Sequence, residues 1–268
     1  MTARIETSAG MIGDGTGPTV ATLVADGIGK SFGAFRAVDG VSLKIMRHQV
    51  KAVIGPNGAG KSTFFSCLAG VLQPTAGRIT YNGEDITSLP VYHRVQKGLV
   101  KSFQTTSIFQ SMSVAENVMM AAAAVTPWSA ADFFVSPWRK AAICDRVEQA
   151  LDHVGLLDQR DTVAATLPHG DQRKLEIGLA LASGASILLL DEPTAGMGVD
   201  DIKAFCELVE RLRGSCGILL VEHNMNIVLG VSDRITVLAQ GRVICEGTPD
   251  DVRRDEAVRN AYLGRREV

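Results

Sequence analysis

Polar and apolar positions alternate through Val41-Ser42-Leu43-Lys44-Ile45, the two-residue period of a strand with one buried face, and Thr22 to Val24 begins a similar stretch. A β-rich front end is predicted. Further along the alternation disappears: Val50 to Ile54, Ile187 to Leu190 and Gly217 to Val221 are short, mostly apolar runs. Strands of that kind belong in a parallel sheet covered on both faces. Gly77 to Tyr81 and Leu99 to Phe103 read as further strands, and Ser62 to Leu68 and Ile202 to Leu212 as helices. From Val114 to about Gly155 the chain is Ala-rich and mostly helical, broken around Pro127 and Pro137, so an inserted helical subdomain is predicted at about 112–182. Arg234 to Ala239 and Arg242 to Glu246 flank Gln240-Gly241 in a hairpin pattern, and the chain from Pro249 is charged and helical. The predicted organisation is a loose tail over residues 1–20 followed by one α/β domain over 21–268.

Composition narrows the function classes. With 268 residues, 46% hydrophobic, 21% charged and a formal net charge of −2, the chain can bury a sizeable core and is not disordered as a whole. The near-neutral balance argues against a nucleic-acid binder, which would display clustered excess Lys and Arg. The longest uninterrupted apolar run, Val118 to Val125, is half Ala and far below the roughly 20 residues of a membrane span. The start of the chain has no apolar segment behind a basic end, so a cytosolic location is expected. The five cysteines include no C-x-x-C pair, which fits reduced thiols.

The chemistry is concentrated in two places. Gly55-Pro56-Asn57-Gly58-Ala59-Gly60-Lys61-Ser62, followed by Thr63, fits G-x-x-x-x-G-K-[ST] and lies between a predicted strand and a predicted helix. Glycines let the backbone wrap a phosphate with N–H groups inward, the helix N-terminus adds partial positive charge, Lys61 reaches the terminal phosphates, and Ser62 ligates Mg²⁺. Asp191 and Glu192 end a buried strand, where open α/β sheets bind ligands. Asp191 would hold the Mg²⁺ ion through water and Glu192 would polarise the attacking water.

From about Leu23 to Gly264 these motifs, taken in order, resemble the ATP-binding cassette family. The resemblance implies an α/β P-loop core with an antiparallel β subdomain and an inserted α-helical subdomain, binding ATP and Mg²⁺. It implies that Gln104 links the magnesium site to a membrane partner, that His223 contacts the γ-phosphate, and that Phe32 stacks on adenine. Leu167-Pro168-His169-Gly170-Asp171-Gln172 stands where the family signature L-S-G-G-Q is expected. Within the family, Phe103-Gln104-Thr105, the run from His169 to Glu176, Thr194-Ala195-Gly196-Met197, Glu222-His223-Asn224-Met225, Glu246-Gly247-Thr248-Pro249 and Ala261-Tyr262-Leu263-Gly264 resemble the ATPases of branched-chain amino-acid importers. ATPases of urea and short-chain amide importers are similar.

Two departures stand out: Pro168 replaces the signature serine, and Gly198 replaces the aspartate that many members carry there. The first removes a hydroxyl and a backbone N–H from a position expected to face γ-phosphate. The expectation is an ATPase that pairs with a second ATPase subunit around two ATP molecules. It would drive permease subunits from the cytoplasmic face of the membrane, with an external solute-binding protein in the same system. The alternatives are a cassette ATPase acting off the membrane in DNA repair or translation, and a silent regulatory partner. Intact Lys61 and Glu192 oppose the second.

Overall fold

In the computed structural model, which describes residues 21–102, 108–127, 137 and 140–263, the alternating front end pairs into a long hairpin. Ala21–Phe32 (β1) and Phe35–Met46 (β2) run antiparallel, with Leu23 opposite Ile45, Ala25 opposite Leu43 and Ile28 opposite Val41. All six side chains are buried. β1 extends well beyond Val24 because Gly27, at φ 59°, takes up a bulge between Ala25 and Ile28, after which pairing resumes. Ala76–Tyr81 (β4) and Glu84–Asp85 (β5) complete a four-stranded sheet ordered β2-β1-β4-β5.

The apolar runs form the second sheet. It contains Val50–Ile54 (β3), Leu99–Lys101 (β6), Ile187–Asp191 (β7), Gly217–Val221 (β8), Arg234–Ala239 (β9) and Arg242–Gly247 (β10), ordered β10-β9-β3-β8-β7-β6. Neighbours are parallel except β9 and β10, which form the predicted hairpin. β6 ends at Lys101; Phe103 lies outside the described residues, as do Gln104, Thr105 and the 1–20 tail.

Both faces of this sheet are covered, which is why its strands carry little polar relief. Leu188 and Leu190 join one core with Val118 of Val114–Val125 (α3), Val147 of Ala141–Val154 (α4), Leu175 of His169–Ala182 (α5) and Leu208 of Val199–Arg213 (α6). Ile187 and Leu189 point the other way, against Phe65 and Leu68 of Lys61–Ala69 (α1) and the inner face of the antiparallel sheet. Each such side chain contributes about 1.5–3 kcal/mol on burial. Lys51 interrupts the run of β3 yet is buried, its Nζ donating to Lys44 O at 3.0 Å and pairing with Glu246 Oε1 at 2.9 Å. Burial pulls its pKa down, and Glu246 pushes it back up.

α3, α4 and α5 lie in the chain between β6 and β7, and Pro127 and Pro137 fall between α3 and α4. Ser113 starts α3 with a capping box: its hydroxyl accepts from Glu116 N while Glu116 accepts from Ser113 N. Among the described residues, four further α-helices are present: Val91–Gln96 (α2), Met225–Val231 (α7), Pro249–Arg254 (α8) and Glu256–Leu263 (α9). Of these, α2 and α7 were not expected from the hydrophobic pattern.

Arg94, on α2, is buried and donates to the carbonyls of Cys67, Leu68, Leu89 and Thr87. It thereby closes the C-terminal end of α1. Burial lowers its pKa to about 10, which leaves it charged at neutral pH.

Candidate nucleotide site

Strand order brings the candidate groups together. β3, β8 and β7 are adjacent and parallel, with Val53 beside Val221 and Val221 beside Asp191. The loop after β3, His223 after β8 and Asp191-Glu192 at the end of β7 therefore share one edge of the sheet, the carboxyl ends where such folds bind ligands. β6 is the neighbour of β7 on the other side.

The loop from Gly55 to Gly60 is shaped by close backbone approach. A Cβ on Gly55 would collide with the carbonyl of Leu238, and one on Gly60 with the carbonyl of Ala37. Gly58 and Gly60 adopt φ 79° and 95°, the left-handed region that favours glycine. Gly241, in the β9–β10 turn, donates its N–H to Ala59 O at 3.0 Å and accepts from Asp39 N at 2.8 Å. Arg242 adds an ion pair to Asp39 at 2.6 Å. The loop is thus pressed between β2 and the β9–β10 turn.

Pro56 is half-buried, Ala59 is buried, and Asn57 and Gly58 face solvent. Lys61 folds back so that Nζ donates to Gly55 O at 2.8 Å and Pro56 O at 3.1 Å. Ser62 is exposed in the first turn of α1, and Thr63 is half-buried beside it. A glycine-rich loop running into a helix N-terminus is the arrangement that binds anions.

Asp191 is buried, with Oδ2 at 3.2 Å from Lys101 Nζ and Oδ1 without a hydrogen-bond partner. Such an unsatisfied acceptor costs about 1–3 kcal/mol. A hydrated divalent cation would satisfy it, and the hard oxygens of Asp191 and Ser62 suit Mg²⁺. Among the described residues there is no cluster of three or more His, Cys, Asp or Glu able to hold a metal. Nucleotide phosphates would supply further ligands. Glu192 follows at φ 45°, a left-handed conformation unusual for a side-chain-bearing residue, with its N–H bonded to Val221 O at 2.8 Å.

A cleft of about 500 Å³ unites Asp191 and Glu192 with His169 and Gly170 of α5 and with Gly196 and Asp201. Leu167 is buried. Pro168 is the N-cap of α5, and its carbonyl accepts from Asp171 N at 3.0 Å and Gln172 N at 2.9 Å. It stands one position before the first helical residue. Asp171 is tied to Lys174 at 2.7 Å and to Gln159 at 3.2 Å. Gly198 caps α6 without a side-chain bond.

Lys61, Ser62, Phe32 and His223 do not line this cleft. His223 is well exposed, its Nδ1 3.9 Å from Glu222 Oε2. Phe32 is exposed at the tip of the first hairpin with Lys30 Nζ 5.3 Å from its ring centroid, and Phe35, directly opposite, is more exposed. Lys101 and Glu222 were missed. Each sits at a strand end, where a charged residue reads as solvated, and the adjacency of Glu222 to His223 was the available signal.

Comparison with known proteins shows the family. The family profile described as ABC transporter matches residues 38–195. The chain belongs to the ABC transporter ATPase family. A second profile of that family, described as branched-chain amino acid ATP-binding cassette transporter, matches residues 242–268. This ABC ATPase is 39% identical to the high-affinity branched-chain amino acid transport ATP-binding protein BraF of Pseudomonas aeruginosa, over 90% of this chain and 97% of that one. It is 38% identical to LivG of Salmonella typhimurium, similarly described, over the same shares. The lipopolysaccharide export system ATP-binding protein LptB of Escherichia coli is 33% identical over 91% of this chain and 98% of its own. Among solved structures, the ADP conformation of an ATP-binding cassette of an ABC transporter superposes with a TM-score of 0.79 at 30% identity, covering 92% of this chain and 100% of the other.

Proposed function

We propose that this ABC ATPase powers an importer of branched-chain amino acids, working at the cytoplasmic face of a membrane through permease subunits and paired with a second ATPase subunit. The observation that carries the solute assignment is the C-terminal match at residues 242–268, supported by the likeness to BraF and LivG. No described helix is long and apolar enough to cross a membrane, so attachment would run through a partner.

In the catalytic reading the loop amides from Gly55 to Gly60 hold the phosphates, and Lys61 leaves the Gly55 and Pro56 carbonyls to reach the terminal ones. Mg²⁺, when bound, neutralises charge developing on the transferred phosphoryl group. Ser62 and Asp191 would hold it, and the family resemblance adds Gln104 as a further ligand. Glu192 accepts a proton from the attacking water, His223 meets the γ-phosphate, and Phe32 stacks on the base. The segment Leu167, Pro168, His169, Gly170 and Asp171 completes the site on the partner subunit's nucleotide. An apolar groove lined by Val71, Val91, Val95, Val100, Ala121 and Leu179 fits an apolar-faced permease helix.

The test is purification of the complex from membranes and measurement of its ATPase. Stimulation by a leucine-loaded external binding protein supports the reading. A complex that carries lipopolysaccharide-export partners and ignores amino acids overturns it.

A further inference from the structure

Glu222 is a fully buried carboxylate that the nucleotide-contact scheme does not use. Its Oε1 accepts from Thr194 N at 3.0 Å and from Thr194 Oγ1 at 2.5 Å. Its Oε2 accepts from His223 N at 3.1 Å and lies 3.5 Å from Asn224 N. One carboxylate therefore spans two loops: the turn after β7 that carries Glu192, and the loop after β8 that carries His223. Burying a carboxylate is unfavourable unless its oxygens are satisfied, and here hydroxyl and backbone donors do so from two segments that are distant in the chain.

The turn it anchors is strained. Glu192 sits at φ 45°, a conformation that costs about 1–3 kcal/mol and persists only when its surroundings over-determine it. On its N-terminal side the Glu192 N–H bond to Val221 O fixes the turn to β8. On the C-terminal side Thr194 is fixed by Glu222, and Thr194 O in turn accepts from Met197 N at 3.1 Å, carrying the constraint into the segment before α6.

We infer that Glu222 is a positioning residue that locks the Glu192–Thr194 turn to the His223 loop, so that the proton-accepting side chain and the γ-phosphate-sensing side chain are set as one unit. The inference deepens the catalytic reading above and rests on its assignment of Glu192 and His223.

Glu222→Gln is the discriminating variant. It keeps shape and volume but turns one of the two acceptors into a donor, which must then face a backbone N–H at Thr194 or at His223. In the full-length chain without nucleotide, hydrogen exchange should accelerate at least tenfold in both the 192–198 and 222–226 segments and stay unchanged in β3. With Mg·ATP, kcat should fall at least tenfold while KM moves less than threefold. Thr194→Ser, which keeps the hydroxyl, should retain near-normal turnover, whereas Thr194→Val should mimic Glu222→Gln, and the Thr194→Val, Glu222→Gln double variant should be no slower than Glu222→Gln alone.

Unchanged exchange in both loops, or in either one, overturns the inference whether or not the chain hydrolyses ATP. So does a multiplicative loss in the double variant, or a fall in turnover that only tracks a lowered melting temperature. If Glu222→Gln does not fold, the Thr194→Ser and Thr194→Val pair decides: equal kcat in the two refutes the lock. A Glu192→Gln variant with wild-type turnover would instead sink the catalytic assignment, leaving the exchange result to judge the lock by itself.

Discussion

Replacing Lys101 by methionine keeps the length of the side chain and removes its charge from the only described ion pair of Asp191. The two groups are 3.2 Å apart, with Lys101 17% and Asp191 3% exposed, and the Lys101 ammonium also lies 5.3 Å from the Phe65 ring centroid. At an effective dielectric of about 20, unit charges this close attract by about 5 kcal/mol, most of which offsets the loss of hydration of the two groups. Methionine abolishes the attraction and leaves Asp191 dehydrated. Removing one partner of a buried pair costs about 3–5 kcal/mol, and residual solvent contact at Lys101 puts the expectation at the lower end, about 3 kcal/mol.

Equilibrium urea unfolding of the nucleotide-free variant should show this loss. Adding Mg²⁺ with a non-hydrolysable ATP analogue should close most of the gap, because the cation supplies the compensating charge and binds the native state alone. The Mg²⁺ concentration at half-saturation of analogue binding should also fall, since no ammonium competes for Asp191. Equal destabilisation with and without the Mg-nucleotide would refute the idea that Lys101 and the metal share one carboxylate. A variant as stable as the wild type would dismiss the ion pair itself.

Further outcomes are expected at other positions. Glu192→Gln should bind ATP normally and hydrolyse it at least about 10²-fold more slowly, as for loss of a positioned base, which single-turnover kinetics would show. Arg94→Ala removes the side-chain donor of the Cys67, Leu68, Leu89 and Thr87 carbonyls, of which Cys67 keeps the Gly70 N–H, and should lower unfolding free energy by about 3–5 kcal/mol, with Arg94→Lys recovering less than half; a loss under 1 kcal/mol in urea would contradict the bracing role. Pro168→Ser should speed the slower of two ATP sites in the assembled complex by roughly ten- to 150-fold, the equivalent of one charge-assisted hydrogen bond of about 1.5–3 kcal/mol. Equal rates at both sites before the change would remove that asymmetry.

The strand–loop–helix around Gly55 to Ser62 and the carboxylates at the end of β7 were legible because the glycine spacing and the apolar run into Asp191 are local patterns. The length of β1 was not, since Gly27 reads as a turn and acts as a bulge whose continuation depends on β2 and β4. α7 escaped because it is short and its start is fixed by Asn224, whose side chain accepts from Asn226 N. Lys51, Lys101 and Glu222 share one difficulty. Each is a charged residue whose burial is balanced by a group far away in sequence, Glu246, Asp191 and Thr194 respectively, and no local pattern encodes such a partner.

The pressing of the glycine-rich loop between Ala37 and the Gly241 turn bears on how portable the motif is. Gly60 and Gly241 both abut the carbonyl of Ala37, and the contacts are backbone to backbone, so no side-chain substitution elsewhere could recreate them. A fragment ending before β9 would retain every residue from Gly55 to Ser62 and the Ala37 side of the mould, and lack the opposite wall formed by Leu238 and Gly241. Transplanted into another α/β sheet, the eight residues would carry the donors without their mould. Phosphate affinity in grafts should therefore depend on whether the host supplies an equivalent turn on that side, which makes the β9–β10 hairpin part of the binding loop in engineering terms although it is remote from it in the chain.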